Sequence, residues 1–295
     1  MKNIVFKGAA VALVTPFKED NTTDLDLLGR LIDFQIENDI DAIAVCGTTG
    51  EASTLSKKEH RQIIETAVKK AKGKVPIIAG AGSNNTGTAL SLSLAAEDAG
   101  ADALLLVTPY YNKTTQTGLI EHYFYIADRT SLPIILYNVP SRTGLNILPE
   151  TYQKLAEHPN IVAVKEANGN IESIIKTMNL CEDSLSIYSG EDGLTLPTLA
   201  VGGIGVISVA ANIMPKKMHL LCEAFEKGKN AEAAALQREI SEICSALFSE
   251  TNPIPVKKAL TMMGYPVGKG RLPLCEMSEK NEKRLSSVLK KAKLI

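Results

Sequence analysis

Eight short apolar runs, rich in β-branched residues, recur along the 295 residues at regular intervals. They are Ala9–Thr15, Ala42–Cys46, Val75–Ala79, Ala103–Thr108, Ile134–Asn138, Ile161–Lys165, Ser186–Ser189 and Gly205–Val209. Each has the length of one buried strand. Several are apolar without alternation, as in strands covered on both faces, and such strands belong to parallel sheets.

Helical patterns fill the intervals. Thr23-x-x-Asp26 stands at the start of Leu25, Leu28, Leu31, Ile32 and Ile36. Ser56-Lys57-Lys58-Glu59 reads as a capping box ahead of Ile63, Ile64, Ala67, Val68 and Ala71, the Ser and Glu satisfying each other's orphan amides. Asn170 can cap the helix that carries Ile171, Ile174, Ile175 and Met178. Pro149 and Pro215 sit at first-turn positions, where a missing N–H costs nothing. Strand and helix thus alternate eight times, and eight right-handed crossovers close into a (β/α)8 TIM barrel. The competing open, doubly wound sheet opens on a glycine-rich first turn, and Val14-Thr15-Pro16-Phe17 is not one. Past residue 212 only helices are predicted: 216–227, 231–248, 256–263 and 278–293. We therefore expect a barrel with the active site over residues 1–228 and a C-terminal helical region over 229–295, too small and amphipathic to stand alone.

Composition removes several function classes. Hydrophobic residues make up 45% of the chain, enough for a large core. Thirty-two Lys and Arg against 33 Asp and Glu leave a net charge of −1, so no electrostatic case exists for nucleic acid or an anionic membrane. No apolar run approaches the ~20 residues of a membrane helix. Lys2 and Lys7 ahead of Gly8–Thr15 faintly resemble a signal peptide, but no clean cleavage pattern follows, and we expect a cytoplasmic protein. The five cysteines (46, 181, 222, 244, 275) form no C-x-x-C pair and read as buried free thiols. His60, His122, His158 and His219 lack metal-ligand spacing, so no metal is expected. Gly80-Ala81-Gly82 and Gly203-Ile204-Gly205 lack the third glycine of a dinucleotide fingerprint.

In such barrels the active site lies at the C-terminal ends of the strands. Lys165 ends Ile161-Val162-Ala163-Val164-Lys165, and period two puts it on one face with Ile161 and Ala163. Desolvation there disfavours the ammonium and leaves a fraction of free amine. A free amine in a dry pocket attacks a ketone to form a Schiff base. A strand-end lysine that reaches solvent or pairs with a carboxylate would have the same sequence, and the strand alone does not choose. Tyr137 ends the preceding strand, where a phenol can donate and accept a proton. A buried aromatic with a satisfied hydroxyl is the alternative for it.

Gly47-Thr48-Thr49-Gly50-Glu51 follows the second strand. Its glycines permit a turn that presents successive N–H groups to an anion, and its threonines add hydroxyls. An ordinary strand-to-helix loop would look similar. Tyr110-Tyr111-Asn112-Lys113 follows the fourth strand, and Val139-Pro140-Ser141-Arg142-Thr143-Gly144 follows Tyr137. Arg142 is placed to hold a carboxylate by a bidentate pair, unless it makes a surface ion pair.

Taken in order, Gly47-Thr48-Thr49-Gly50-Glu51, Tyr111, Tyr137-Asn138-Val139-Pro140-x-Arg142-Thr143-Gly144 and Lys165-Glu166 resemble the class I pyruvate-aldolase superfamily typified by N-acetylneuraminate lyase. Tyr110-Tyr111 and Arg142 make the chain most similar to its dihydrodipicolinate synthase branch, over nearly the whole length. The resemblance implies that Lys165 forms a Schiff base with pyruvate, so that no cofactor or metal is needed. It implies that Tyr137 passes protons and that Thr48 links it to Tyr111 of an adjacent subunit. Thr49 would hold the pyruvate carboxylate, Arg142 would bind that of L-aspartate-4-semialdehyde, and the main chain of Gly190 and Ile207 would line the pocket. The implied product is 4-hydroxy-tetrahydrodipicolinate, which opens the diaminopimelate branch of lysine biosynthesis, and the implied assembly is a homotetramer, a dimer of dimers.

Departures from the family pattern concern regulation. His60, Asn84 and Tyr110 match an effector site of lysine-inhibited members, whereas Ala52, Lys57 and Thr88 stand where those members have Ser, His and Glu. The site is expected to be vestigial, with weak or absent inhibition by L-lysine. Two other functions share these residues: a related aldolase, such as N-acetylneuraminate lyase or a 2-oxo-acid aldolase, and a binding barrel that has lost catalysis.

Overall fold

Parallel strands buried on both faces need helices outside them and, once closed, side chains inside them, and both layers are present. The structure, a computed structural model, describes residues 2 and 4–295. Eight strands, β1 (Gly8–Ala12), β2 (Ala42–Val45), β3 (Ile77–Gly80), β4 (Ala103–Val107), β5 (Ile134–Asn138), β6 (Ile161–Glu166), β7 (Ser186–Ser189) and β8 (Gly205–Ser208), form a closed parallel barrel in sequence order. All eight predicted runs are strands. The run that faintly resembled a leader is β1, paired with both β2 and β8. Closure of β8 on β1 needs glycine at 205, where a Cβ would lie 2.1 Å from the Gly8 carbonyl oxygen.

Among the described residues there are twelve α-helices: α1 (Leu25–Glu37), α2 (Lys57–Ala71), α3 (Thr86–Asp98), α4 (Gln116–Ala127), α5 (Pro140–Thr143), α6 (Pro149–Leu155), α7 (Ile171–Cys181), α8 (Thr195–Ala200), α9 (Pro215–Glu226), α10 (Asn230–Leu247), α11 (Ile254–Met262) and α12 (Glu279–Lys291). The Ser56 capping box and the Asn170 cap are formed. The cap of α1 is Asp24 rather than Thr23: its carboxylate accepts the Leu27 N–H at 2.9 Å, and a carboxylate at the positive end of a helix outcompetes a hydroxyl.

The core has two parts. Outward residues of the strands pack under the helices, as with Ile43, Leu104, Leu136 and Val164. Inward residues fill the barrel, and many are small: Ala10, Ala12, Ala42, Ala44, Ala103 and Ala163. Phe6 and Tyr188 fill the space these alanines leave, their rings stacked at 4.3 Å and the Tyr188 hydroxyl donating to the Phe6 carbonyl at 2.7 Å.

One expectation about β6 is corrected. Ile161 does not share a face with Ala163 and Lys165, since it lies among the helix-facing residues. The pairing with β5 skips a residue, Ile134 to Ile161 and then Ile135 to Ala163, so Val162 is bulged. A bulge inserts one residue and breaks strict alternation. Both Val162 and Ala163 then face the barrel interior.

The C-terminal helices pack back on the barrel. The Gln237 amide of α10 accepts from the Leu196 N–H at 2.9 Å and donates to the Asp192 carbonyl at 3.1 Å. Four cysteines are buried free thiols as expected, but Cys275 is exposed. No helix among the described residues is long and apolar enough to cross a membrane.

Candidate active site

The C-terminal ends of β5 and β6 place Tyr137 and Lys165 side by side, as paired residues in register. Lys165 is buried, only 5% exposed. Its Nζ lies 4.4 Å from the centroid of the Tyr137 ring, and no carboxylate pairs with it among the described residues. Of the two meanings open for a strand-end lysine, solvent exposure and an ion pair are therefore both absent. What remains is a buried lysine side chain enclosed against an aromatic ring, with its Nζ turned to the cavity.

A cavity of about 550 Å³ opens over Lys165. Its walls include Thr49, Tyr137, Arg142, Gly190, Asp192 and Asn252. Gly190 has no room for a side chain: a Cβ would sit 2.7 Å from the Ala167 Cβ and 2.9 Å from the Glu166 carbonyl oxygen. The wall there is bare backbone. Ile207 is fully buried inside the barrel with Ala163 and is not on the cavity wall.

The Gly47–Glu51 loop is a tight turn bracketed by left-handed residues, Cys46 at φ 53° and Glu51 at φ 55°. The Thr48 carbonyl accepts from Glu51 N–H, and the Gly47 carbonyl from Ala52 N–H. The Thr48 and Thr49 N–H groups make no hydrogen bond within the described chain. Thr49 is buried, and its hydroxyl accepts from Asn252 Nδ2 at 3.0 Å. Arg142 is exposed on the cavity rim, makes no ion pair among the described residues, and donates to the Asn252 carbonyl at 3.1 Å. Its guanidinium is free to take a carboxylate.

A second cavity of about 580 Å³ adjoins the first, sharing Tyr137, Val139, Arg142 and Asn252. Thr48 lines it, without a direct hydrogen bond to Tyr137. Ala52, Lys57, His60, Thr88 and Tyr110 line it too. Burial lowers the basicity of His60, whose Nε2 donates to the Gly80 carbonyl at 2.7 Å. Asn84 is not on this wall, and its carbonyl accepts from Asn112 at 2.9 Å. Tyr111 lines neither cavity. Its backbone is left-handed, and its ring is 91% exposed.

Three residues escaped the sequence reading. Asp192 is fully buried, and its Oδ2 accepts from the Val209 and Ala210 amides at 3.2 and 2.9 Å while Oδ1 has no partner. Burial pushes its carboxyl up, and the Ser208 hydroxyl, the Ala210 amide and the charge of Lys165 pull it back. Asn252 comes from the loop after α10 and joins Thr49 to Arg142. Lys257 of α11 reaches Glu51 at 2.7 Å in an ion pair with both side chains almost fully buried. Lys257 Nζ also donates to the Thr15 and Lys269 carbonyls and lies 4.3 Å from the Phe17 ring. The helical region beyond residue 229 therefore completes the site instead of merely decorating the barrel.

The model of the dihydrodipicolinate synthetase family matches residues 5–292. The chain belongs to the dihydrodipicolinate synthetase family. It is 54% identical over 285 residues to the 4-hydroxy-tetrahydrodipicolinate synthase of Caldicellulosiruptor saccharolyticus, covering 97% of this chain and 96% of that one. It is 51% identical over all 295 residues to the enzyme of the same name from Acetivibrio thermocellus, covering 100% of both. The crystal structure of dihydrodipicolinate synthase from Thermotoga maritima superposes with a TM-score of 0.97 at 44% identity, covering 99% of this chain and 100% of that one. Membership in this family, at such coverage, includes the C-terminal helices as well as the barrel.

Proposed function

We propose that the chain condenses pyruvate with L-aspartate-4-semialdehyde to give 4-hydroxy-tetrahydrodipicolinate, at the head of the diaminopimelate branch of lysine biosynthesis. The observation that carries this reading is Lys165: a buried, unpaired amine against a tyrosine, in a cavity rimmed by one free arginine. The family and the names of its full-length relatives support the same reaction.

Lys165 Nζ attacks the keto carbon of pyruvate, and loss of water leaves an iminium. The iminium is an electron sink, so the adjacent methyl group loses a proton and becomes an enamine without a metal or other cofactor. Tyr137, in contact with Nζ, moves the protons of these steps. The turn at Thr48 and Thr49, with its free N–H groups, receives the pyruvate carboxylate. The enamine carbon attacks the aldehyde of the second substrate, whose carboxylate is held by Arg142. Attack by the substrate's own amine on the imine carbon then closes the ring and returns Lys165 as a free amine.

Tyr111 enters this scheme only from a neighbouring chain. Its exposed ring fits a contact in which each subunit lends the residue to its partner's relay through Thr48 to Tyr137, within a homotetramer acting in the cytoplasm. A fully active monomer in sedimentation experiments would remove Tyr111 from the mechanism. The reaction itself is tested by a coupled assay that compares the semialdehyde with N-acetylneuraminate. Turnover with pyruvate and the semialdehyde is expected. Cleavage of N-acetylneuraminate alone would make the chain a sugar-acid lyase, the reading that Arg142 disfavours.

A further inference from the structure

On the outer side of the two strands that carry Lys165 and Tyr137 lies a buried polar cluster that takes no part in the chemistry above. Tyr137 pairs with Lys165 in the barrel register, and the next pair is Asn138 with Glu166. Alternation turns the first pair into the cavity and the second pair outward, under α6. Glu166 is 5% exposed and Asn138 is fully buried.

Glu166 is held by three groups from three places. Asn138 Nδ2 donates to both carboxylate oxygens at 2.9 and 3.1 Å. The Tyr152 hydroxyl of α6 donates to Oε2 at 2.7 Å. The Asn168 N–H, just past the strand, donates to Oε1 at 3.0 Å. Asn138 is itself fixed: Nδ2 also donates to Asn146 Oδ1 at 2.7 Å, and Oδ1 accepts the Ile147 N–H at 3.2 Å. No cation pairs with Glu166 among the described residues. A carboxylate buried against neutral donors is a costly choice where an apolar residue would pack. Its effect is directional. It ties the last residues of β5 and β6 to each other and to α6, one peptide away from both reacting side chains.

We propose that Glu166, through Asn138 and Tyr152, is a positioning residue that fixes the approach of Lys165 to Tyr137. This rests on the assignment of Lys165 as the Schiff-base lysine. The cluster is matched to an ionised carboxylate, since every partner of Glu166 donates. A protonated carboxyl would itself have to donate, and one of those bonds would be lost. Burial pushes Glu166 up to about 7, with the Tyr152 and Asn138 bonds opposing. The titratable group facing it is Tyr152, behind which stands Tyr123 of α4, and burial raises both phenols far above neutrality. Glu166 therefore changes charge near pH 7 while its neighbours do not, and the geometry at Lys165 loosens on the acid side.

The test begins with borohydride trapping of pyruvate on the wild-type protein. An adduct on Lys165 secures the premise, and its absence overturns that premise and the proposal with it. With the adduct in hand, kcat and KM for pyruvate are measured from pH 5.5 to 9 for wild type, Glu166→Gln and Tyr152→Phe. Misplacement of reacting groups by about 1 Å can cost on the order of a hundredfold in rate. Glu166→Gln is expected to lower kcat roughly tenfold to a hundredfold by that reasoning, with KM for pyruvate within about twofold. It should also erase the acid limb near pH 7. Tyr152→Phe removes one donor to the ionised form, so the limb should move to higher pH. A purely structural role would leave the pH profile unchanged in shape. A folded Glu166→Gln protein that keeps wild-type kcat and the acid limb overturns the proposal. Should Glu166→Gln fail to fold, an unmoved limb in Tyr152→Phe overturns it equally.

Discussion

Lys257→Met is the substitution whose cost the structure fixes best. Lys257 and Glu51 meet at 2.7 Å with side chains 3% and 1% exposed. Burial lowers the basicity of Lys257, and the charge of Glu51 opposes that effect. Methionine fills much of the lysine volume but leaves the Glu51 carboxylate with the Arg271 N–H at 2.8 Å as its remaining charge-stabilising contact. Breaking a buried pair by removing one partner costs about 3–5 kcal/mol, because the remaining charge is uncompensated. The lost bonds to the Thr15 and Lys269 carbonyls place the expectation in the upper half of that range, about 4 kcal/mol. The double variant Glu51→Gln with Lys257→Met removes both charges and should lie within about 2 kcal/mol of wild type. The assay is urea denaturation of the four proteins of this double-mutant cycle. A single variant that costs under about 1 kcal/mol, or a double variant as unstable as the sum of the singles, would refute the reasoning. Because Glu51 ends the Gly47–Glu51 turn, the single variant should also raise KM for pyruvate.

Arg142→Ala should raise KM for aspartate semialdehyde by about ten- to a hundredfold, the worth of one charge-assisted pair, and leave that for pyruvate nearly unchanged; steady-state kinetics with each substrate varied will show it. L-lysine should inhibit weakly or not at all, because Ala52, Lys57 and Thr88 offer its ammonium no carboxylate and Lys57 adds a like charge; a micromolar inhibition constant would contradict this. Glu166 rises from an ordinary 4.5 to about 7, so between those values the folded chain holds a proton that the unfolded chain has released. Stability should therefore fall as pH rises from 4.5 to 7, by about 3 kcal/mol from this group. Glu166→Gln should lack that decline in denaturation curves taken at pH 5 and pH 8.

The barrel was legible because a strand buried on both faces has few sequence solutions, and most of β1 to β8 read as short, largely apolar runs at regular intervals. Lys165 and Tyr137 were legible for the same reason: a polar residue that ends such a run has nowhere to go but the rim of the barrel. The bulge at Val162 was not, since it depends on how β5 and β6 pair and leaves no mark in β6 alone. Asn252 and Lys257 were hidden by distance along the chain. Lys257 stands 206 residues from Glu51, and only the return of α10 and α11 across the barrel mouth brings them together. Asp192 carries no signal in its own segment, because its carboxylate is held by two amides from the turn after β8. Glu166 was read only as part of a motif, because its meaning lies in α6 and β5.

The most direct test of the whole account is to incubate the protein with pyruvate, reduce with borohydride, and map the modified peptide by mass spectrometry. The account predicts one pyruvate-derived adduct, on Lys165, and none in Lys165→Ala. Unmodified protein, or an adduct on any other lysine, would contradict it.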